Sequence, residues 1–154
     1  MSDVAPGRYR VPPDLLMRWA TECLSAVGLP DSDALLLAQS VVRNNIQGND
    51  QHGIACLSRD LRLISDGAIE PAPTIVFESV GHATGQVHGS RGHGTIVAHR
   101  ANELAIGLAL GVGAGAVGVA TFSEAAGSPH SPRTQPILRH QADRRDAVAP
   151  AERA

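Results

Sequence analysis

Apolar residues recur at helical spacing three times before residue 66. Leu16, Trp19, Cys23 and Val27 follow at three- and four-residue steps, Pro12 and Pro13 suit a helix opening, and Gly28 suits its end. Residues 12–27 are therefore predicted as a first amphipathic helix. After Leu29-Pro30, residues Asp31, Ser32 and Asp33 offer N-caps and favourable charge for a second helix. Its inward face is predicted to hold Ala34, Leu37, Ala38, Val41 and Ile46, and Gly48 ends it. Ile54, Leu57, Leu61 and Ile64 then predict a third helix over 53–65, stopped at Asp66-Gly67.

The period changes after Pro71-Ala72-Pro73. Thr74–Val80 and Thr84–His88 read as short strands joined at Gly81. Residues 92–110 return to a helical period in small and branched residues (Ile96, Val97, Ala101, Leu104, Ala105, Leu108), which suits close packing on a sheet. Gly111–Gly115 reads as a turn and Ala116–Phe122 as a buried strand. From Ser128 onward Pro129, Pro132, Pro136 and Pro150 interrupt any long element and periodicity is lost. The expected class is α/β, an N-terminal three-helix part followed by a small mixed sheet with a packed helix. The expected segments are a flexible start (1–10), a helical part (11–70), an α/β part (71–127) and a disordered tail (128–154), with no internal repeat.

Composition changes this picture in three places. Of the 154 residues, 43% are hydrophobic but only 3% aromatic, so the core is made of Ala, Val, Leu and Ile and buries less area per residue than an aromatic one. Modest stability follows, which hints at a partner or a missing portion. A net charge of −2 gives no nucleic-acid footprint, and the absence of lysine excludes a Schiff-base or P-loop lysine. Met1–Arg10 contains Asp3 and no apolar run, so no secretory signal is read there. Cys23 and Cys56 are expected as reduced, buried thiols of a cytoplasmic protein. Leu104–Ser123 is an uncharged run long enough to cross a bilayer, with GxxxG spacing at Gly107/Gly111 and Gly111/Gly115. Its five glycines weaken membrane transfer, and a helix turning into a strand gives the same string, so no membrane partner is expected.

The candidate chemistry centres on Gly48-Asn49-Asp50-Gln51-His52-Gly53, between the second and third helical segments. It places an imidazole, whose unperturbed pKa is near neutrality, at a backbone break beside an expected helix N-terminus with free N–H groups. Two glycine-rich stretches are weaker candidates. Gly113-Ala114-Gly115-Ala116-Val117-Gly118 fits GxGxxG, but a dinucleotide site needs strand, turn, then helix, and here a helix precedes and a strand follows. Gly89-Ser90-Arg91-Gly92-His93-Gly94 opens a predicted helix, either as an anion site using Arg91 or as a turn with a solvated arginine. His99 and Glu103 share a helix face, but HExxH, a cysteine pair at metal spacing and an assignable third ligand are all lacking, so no metal is expected. GxSxG and P-loop motifs are also absent.

The order of pieces is more specific than any one motif. Three helices, a glycine-flanked histidine between the second and third, an Asp66-Gly67-Ala68-Ile69-Glu70-Pro71 exit and VHGSRGHGTIVAHRANELAI resemble the type 2 malate/L-lactate dehydrogenase family, which includes ureidoglycolate and sulfolactate dehydrogenases. The likeness covers about residues 11–119. It implies NAD- or NADP-dependent oxidation of a small 2-hydroxy acid, or the reverse, on a non-Rossmann α/β fold that usually dimerises. His52 matches the histidine of the family's Ser-His-Gly triplet, which lines the active site and helps position substrate.

The chain departs from that pattern at several positions. Gln51 replaces the triplet's serine, Cys56 stands where an arginine would pair with the substrate carboxylate, and Asp60 stands where a tyrosine is expected. Glu124 falls where the family's proton-exchanging histidine belongs, and His130 does not restore that motif. The candidate site is thus His52 as catalytic residue, with Gln51, His52 and Arg59 contacting substrate; Arg59 lies one helical face step from Cys56. The family's cofactor segments lie mostly beyond the start of the Arg/Pro-rich tail, so the resemblance leaves cofactor-binding residues unassigned and suggests a truncated or frame-shifted member. Two functions are expected from this. One is an oxidoreductase acting as a homo-oligomer or completed by another chain, and the other is an inactive remnant or interaction module pairing with a full-length homologue.

Overall fold

The computed structural model describes residues 10–120. Within them the chain forms α1 (Pro13–Ala26), α2 (Asp31–Ile46), two single 3₁₀ turns (Asp50–His52 and Ile54–Cys56) and α3 (Leu57–Ser65). The strands β1 (Val76–Gly81) and β2 (Thr84–His88), helix α4 (Gly94–Val112) and strand β3 (Ala116–Ala120) follow. Four helices and a three-stranded mixed sheet match the expected class. The expected flexible start, apart from Arg10, and the expected tail lie outside the described residues, as do Glu124 and His130.

One buried cluster joins the three N-terminal helices to the start of α4: Ala20 and Leu24 of α1, Ala34, Leu37, Ala38, Val41 and Val42 of α2, Leu57 and Ile64 of α3, then Ile69 and Ile96. Ala20, Ala34 and Ala38 are small enough to let the helices approach closely, and larger residues fill the space around them. The predicted face of α1 is correct at Leu16 and Val27, which pack against this cluster, but Trp19 is half exposed, and the fully buried positions of the helix are Ala20 and Leu24. On α2 the inward stripe ends at Val42, and Ile46, in the last position of the helix, is exposed.

The caps also differ from expectation. Pro30, not Asp31, Ser32 or Asp33, is the N-cap residue of α2, and no side chain caps the helix. Asp31 instead accepts a hydrogen bond from Ser25 Oγ at 3.0 Å, and Asp33 pairs with Arg100 of α4 at 3.1 Å. The predicted third helix opens as a 3₁₀ turn that runs directly into α3, and Gly53, extended (φ −93°, ψ −150°), separates it from the turn at Asp50–His52. Leu57 and Ile64 are nevertheless buried, and Ile54 and Leu61 pack against the same cluster, so the apolar spacing located the face correctly.

β1 and β2 pair antiparallel through a hairpin with an irregularity between Ser79 and Gly81, and β2 pairs parallel with β3 across α4. α4 covers one sheet face, where Val87, Val97 and Ala101 are buried with Ile75, Leu104, Val117 and Val119 around them. Phe77 lies over Gly85, filling the space a side chain there would take. On the opposite face His88 Nε2 sits 3.5 Å from Glu78 Oε2. Among the described residues β3 is an edge strand and is half exposed, not buried as expected, because only its α4-facing side is covered.

α4 ends at Gly113, which is left-handed (φ 86°), and the chain folds back so tightly that a side chain on Gly115 would run into the Ala105 carbonyl. The GxGxxG stretch is thus a helix-to-strand turn, as its order implied. No helix among the described residues is long and apolar enough to cross a membrane.

Candidate functional site

The break between α2 and α3 is built from the end of α2 outward. Gly48 takes a left-handed conformation (φ 79°), its N–H donates to Asn45 O, and Asn49 N donates to Asn44 O at 2.8 Å. The chain then turns through Asp50–His52. Gln51 and His52 are both exposed on this turn, with His52 N donating to Asn49 O at 3.1 Å. His52 does not border the N-terminus of α3, because the second 3₁₀ turn intervenes. Its side chain faces solvent at a rigidly bonded turn, where a small ligand can reach it.

Arg59 sits in the first turn of α3 with its side chain half exposed. Its Nε and Nη2 both lie 3.3 Å from Asp60 Oδ1. The guanidinium of the proposed carboxylate ligand is therefore turned toward its own neighbour. Cys56 donates its thiol to the Gln51 carbonyl. Both cysteines are free and half-buried, in contrast to the expected full burial.

A second polar group lies beneath α3. Asp60 and His93 are the two buried polar residues of the described core, with Asp60 Oδ2 3.6 Å from His93 Nε2. His93 is also the N-cap of α4, where its Nδ1 accepts from Thr95 N at 3.2 Å. That acceptor role leaves the ring proton on Nε2, facing the carboxylate. Sequence reasoning treated Asp60 only as a missing tyrosine and His93 only as part of an anion loop. The available signal was positional: Asp60 falls between Leu57 and Ile64 on the buried stripe, and His93 immediately precedes the helix-opening Gly94.

The anion reading of 89–94 finds no support in these contacts. Arg91 is exposed, but its Nη1 donates to Gly67 O at 3.0 Å and its carbonyl accepts from Glu70 N at 2.9 Å. The first free N–H groups of α4 are partly taken by His93 itself. His99 pairs with Glu103 at 3.5 Å, and among the described residues no group of three His, Cys, Asp or Glu is placed to hold a metal.

A sequence profile of the malate/L-lactate dehydrogenase family matches residues 11–128. The chain belongs to this family. Among curated relatives, the malate dehydrogenase of Pyrococcus horikoshii is 32% identical over 108 residues, covering 70% of this chain and 30% of that protein. The L-sulfolactate dehydrogenase of Methanocaldococcus jannaschii is 33% identical over 96 residues, covering 62% and 28% respectively. The solved structure of the Pyrococcus horikoshii malate dehydrogenase superposes with a TM-score of 0.75 at 28% identity, covering 80% of this chain and 36% of that one. The chain thus spans about a third of the length of the relatives it matches.

As a malate/L-lactate dehydrogenase family member, the chain raises the question of a nicotinamide dinucleotide. Neither glycine-rich stretch of the described residues is free to cradle its pyrophosphate: the Gly113–Gly118 turn uses the N–H groups of Gly113 and Ala116 on Ala109 O and Ala83 O, and the opening of α4 is capped from within.

Proposed function

We propose that this chain carries the substrate-side histidine turn of an NAD- or NADP-linked oxidoreductase acting on a small 2-hydroxy acid. The observation that carries the proposal is the exposed His52 on a hydrogen-bonded turn, inside a segment matched throughout by the malate/L-lactate dehydrogenase profile. His52 is the residue assigned to proton exchange or substrate positioning, with Gln51 beside it. An imidazole is suited to either role because its ordinary pKa is near neutral. Arg59 is the cation assigned to the substrate carboxylate, and it must turn away from Asp60 to serve. The same proposal assigns the chain to the cytoplasm.

The test is NAD(P)H oxidation by the purified full chain with a panel of 2-oxo acids, alone and mixed with a full-length homologue. Turnover that disappears in His52→Ala supports the proposal. Absence of turnover in both arms removes it.

A second function is favoured by what Cys56 and Asp60 do. Cys56 stands where the resemblance gives the carboxylate-pairing arginine and Asp60 where it gives a tyrosine, and both make internal contacts. In this alternative the chain is a non-catalytic module that associates with a homologue carrying the rest of the fold. Size-exclusion chromatography of the mixture then gives a mixed complex, and an unchanged elution position for each component counts against it.

A further inference from the structure

We propose that Asn45 is the positioning residue for His52, an assignment that rests on His52 being the ligand-facing side chain of the turn. Asn45 lies in the last turn of α2 and its carboxamide spans the break. Oδ1 accepts from Ile54 N at 2.6 Å and Nδ2 donates to Asp50 Oδ1 at 2.8 Å. Asp50 and Ile54 stand two positions before and two positions after His52, so one side chain holds both flanks of the histidine. His52 has an exposed side chain and is held through its backbone. Its direction is therefore set by whatever fixes residues 50–54.

Gly53 supports the same conclusion independently. Its backbone is extended, with negative φ, and does not itself require glycine. What excludes a side chain is the Asn45 carboxamide. A Cβ on Gly53 would run into Asn45 Oδ1 and would come within 2.7 Å of Nδ2. The glycine after the histidine makes room for the asparagine that braces the turn.

The chemistry selects the residue type. The position needs an acceptor toward an N–H and a donor toward a carboxylate at once, on a side chain with one methylene. Asparagine meets that need, whereas aspartate would set two carboxylates against each other and leucine would leave Ile54 N–H without its acceptor.

The experiment is amide hydrogen exchange and histidine ring NMR on the ¹⁵N-labelled full chain. In Asn45→Ala, Ile54 N–H is expected to exchange about tenfold faster, from the loss of a bond of ordinary strength together with its partner contact. The His52 ring signals shift, while core amides such as Leu37 and Val87 keep their wild-type rates. Asn45→Asp alone should lose protection, and Asn45→Asp combined with Asp50→Asn should regain it, because donor and acceptor are exchanged between the two positions. Gly53→Ala should speed Ile54 exchange in the wild-type background and have little further effect with Asn45→Ala.

Unchanged Ile54 exchange in Asn45→Ala overturns the assignment. So does an equal rise at Leu37 and Val87, which would make Asn45 a general stability residue, or failure of the exchanged pair to restore protection. If these local responses appear but His52→Ala leaves turnover intact, the proposed function falls and the bracing by Asn45 stands.

Discussion

Replacing Asp60 by alanine isolates the buried polar link between α3 and α4. Asp60 is held on two sides, but unequally. Arg59 approaches Oδ1 at 3.3 Å from a half-exposed position, where solvent screening limits an ion pair to about 0–1 kcal/mol. His93 approaches Oδ2 at 3.6 Å, and both of those side chains are at least nine-tenths buried. That separation exceeds a hydrogen bond, so deleting the carboxylate takes a weak polar contact from the buried His93 ring, at the low end of about 1–3 kcal/mol. Relief of the desolvation of Asp60 itself opposes this. The expected net loss is about 1 kcal/mol, with the His93 side dominating.

Asp60→Asn keeps an acceptor at the same place and is expected to lose less than about 1 kcal/mol. His93→Ala removes both the Asp60 contact and the α4 cap, worth about 1 kcal/mol more. Urea unfolding followed by circular dichroism gives each value, and the double variant gives the coupling, expected at about 0.5–1 kcal/mol. A loss below about 0.5 kcal/mol for Asp60→Ala, or additive single variants, would show that the pair is not a link at all.

Leu24→Ala, fully buried between α1 and α2, should lower unfolding free energy by about 2–5 kcal/mol in the same urea assay. Two glycines near the end of α4 should respond in opposite directions. Gly107→Ala, with open space around it in mid-helix, should raise stability by about 0.5–1 kcal/mol, while Gly115→Ala should lower it by about 1–3 kcal/mol because its side chain meets backbone atoms of Ala105 and Ala109. His52→Ala should leave the thermal midpoint within a degree or two, as expected of an exposed side chain worth less than about 0.5 kcal/mol, while abolishing any dehydrogenase turnover.

The elements themselves were legible because their apolar spacing is strong: four helices and three strands stand close to where periodicity placed them. Phase was less legible. Hydrophobicity alone ranks Trp19 above Ala20, yet Ala20 is fully buried in the helical cluster and Trp19 is half exposed, since a small residue suits closely packed helices. The 3₁₀ opening of the third helix was hidden for a different reason. Ile54, Leu57, Leu61 and Ile64 keep one face through a 3₁₀ turn and an α-helix alike, so the pattern does not report where one becomes the other. The side-chain bridges of Asn45, Asp60 and His93 depend on tertiary proximity and left only a positional trace, a polar residue on an inward stripe or before a helix.

These bridges bear on the site as much as the exposed histidine does. Cys56 closes onto Gln51, Asp60 onto His93 and Arg59, and Asn45 onto Asp50 and Ile54. Each bond restrains the 50–60 segment, and each draws a polar group away from a ligand approaching His52. A turn that is well braced but poor in free cations can hold an imidazole in place more readily than it can bind a carboxylate. That imbalance makes Arg59 the decisive residue. If it swings outward, the segment regains a histidine and a cation for a 2-hydroxy acid. If Asp60 keeps it, the carboxylate of the proposed substrate needs another cation, and the proposed site at His52 is incomplete without one.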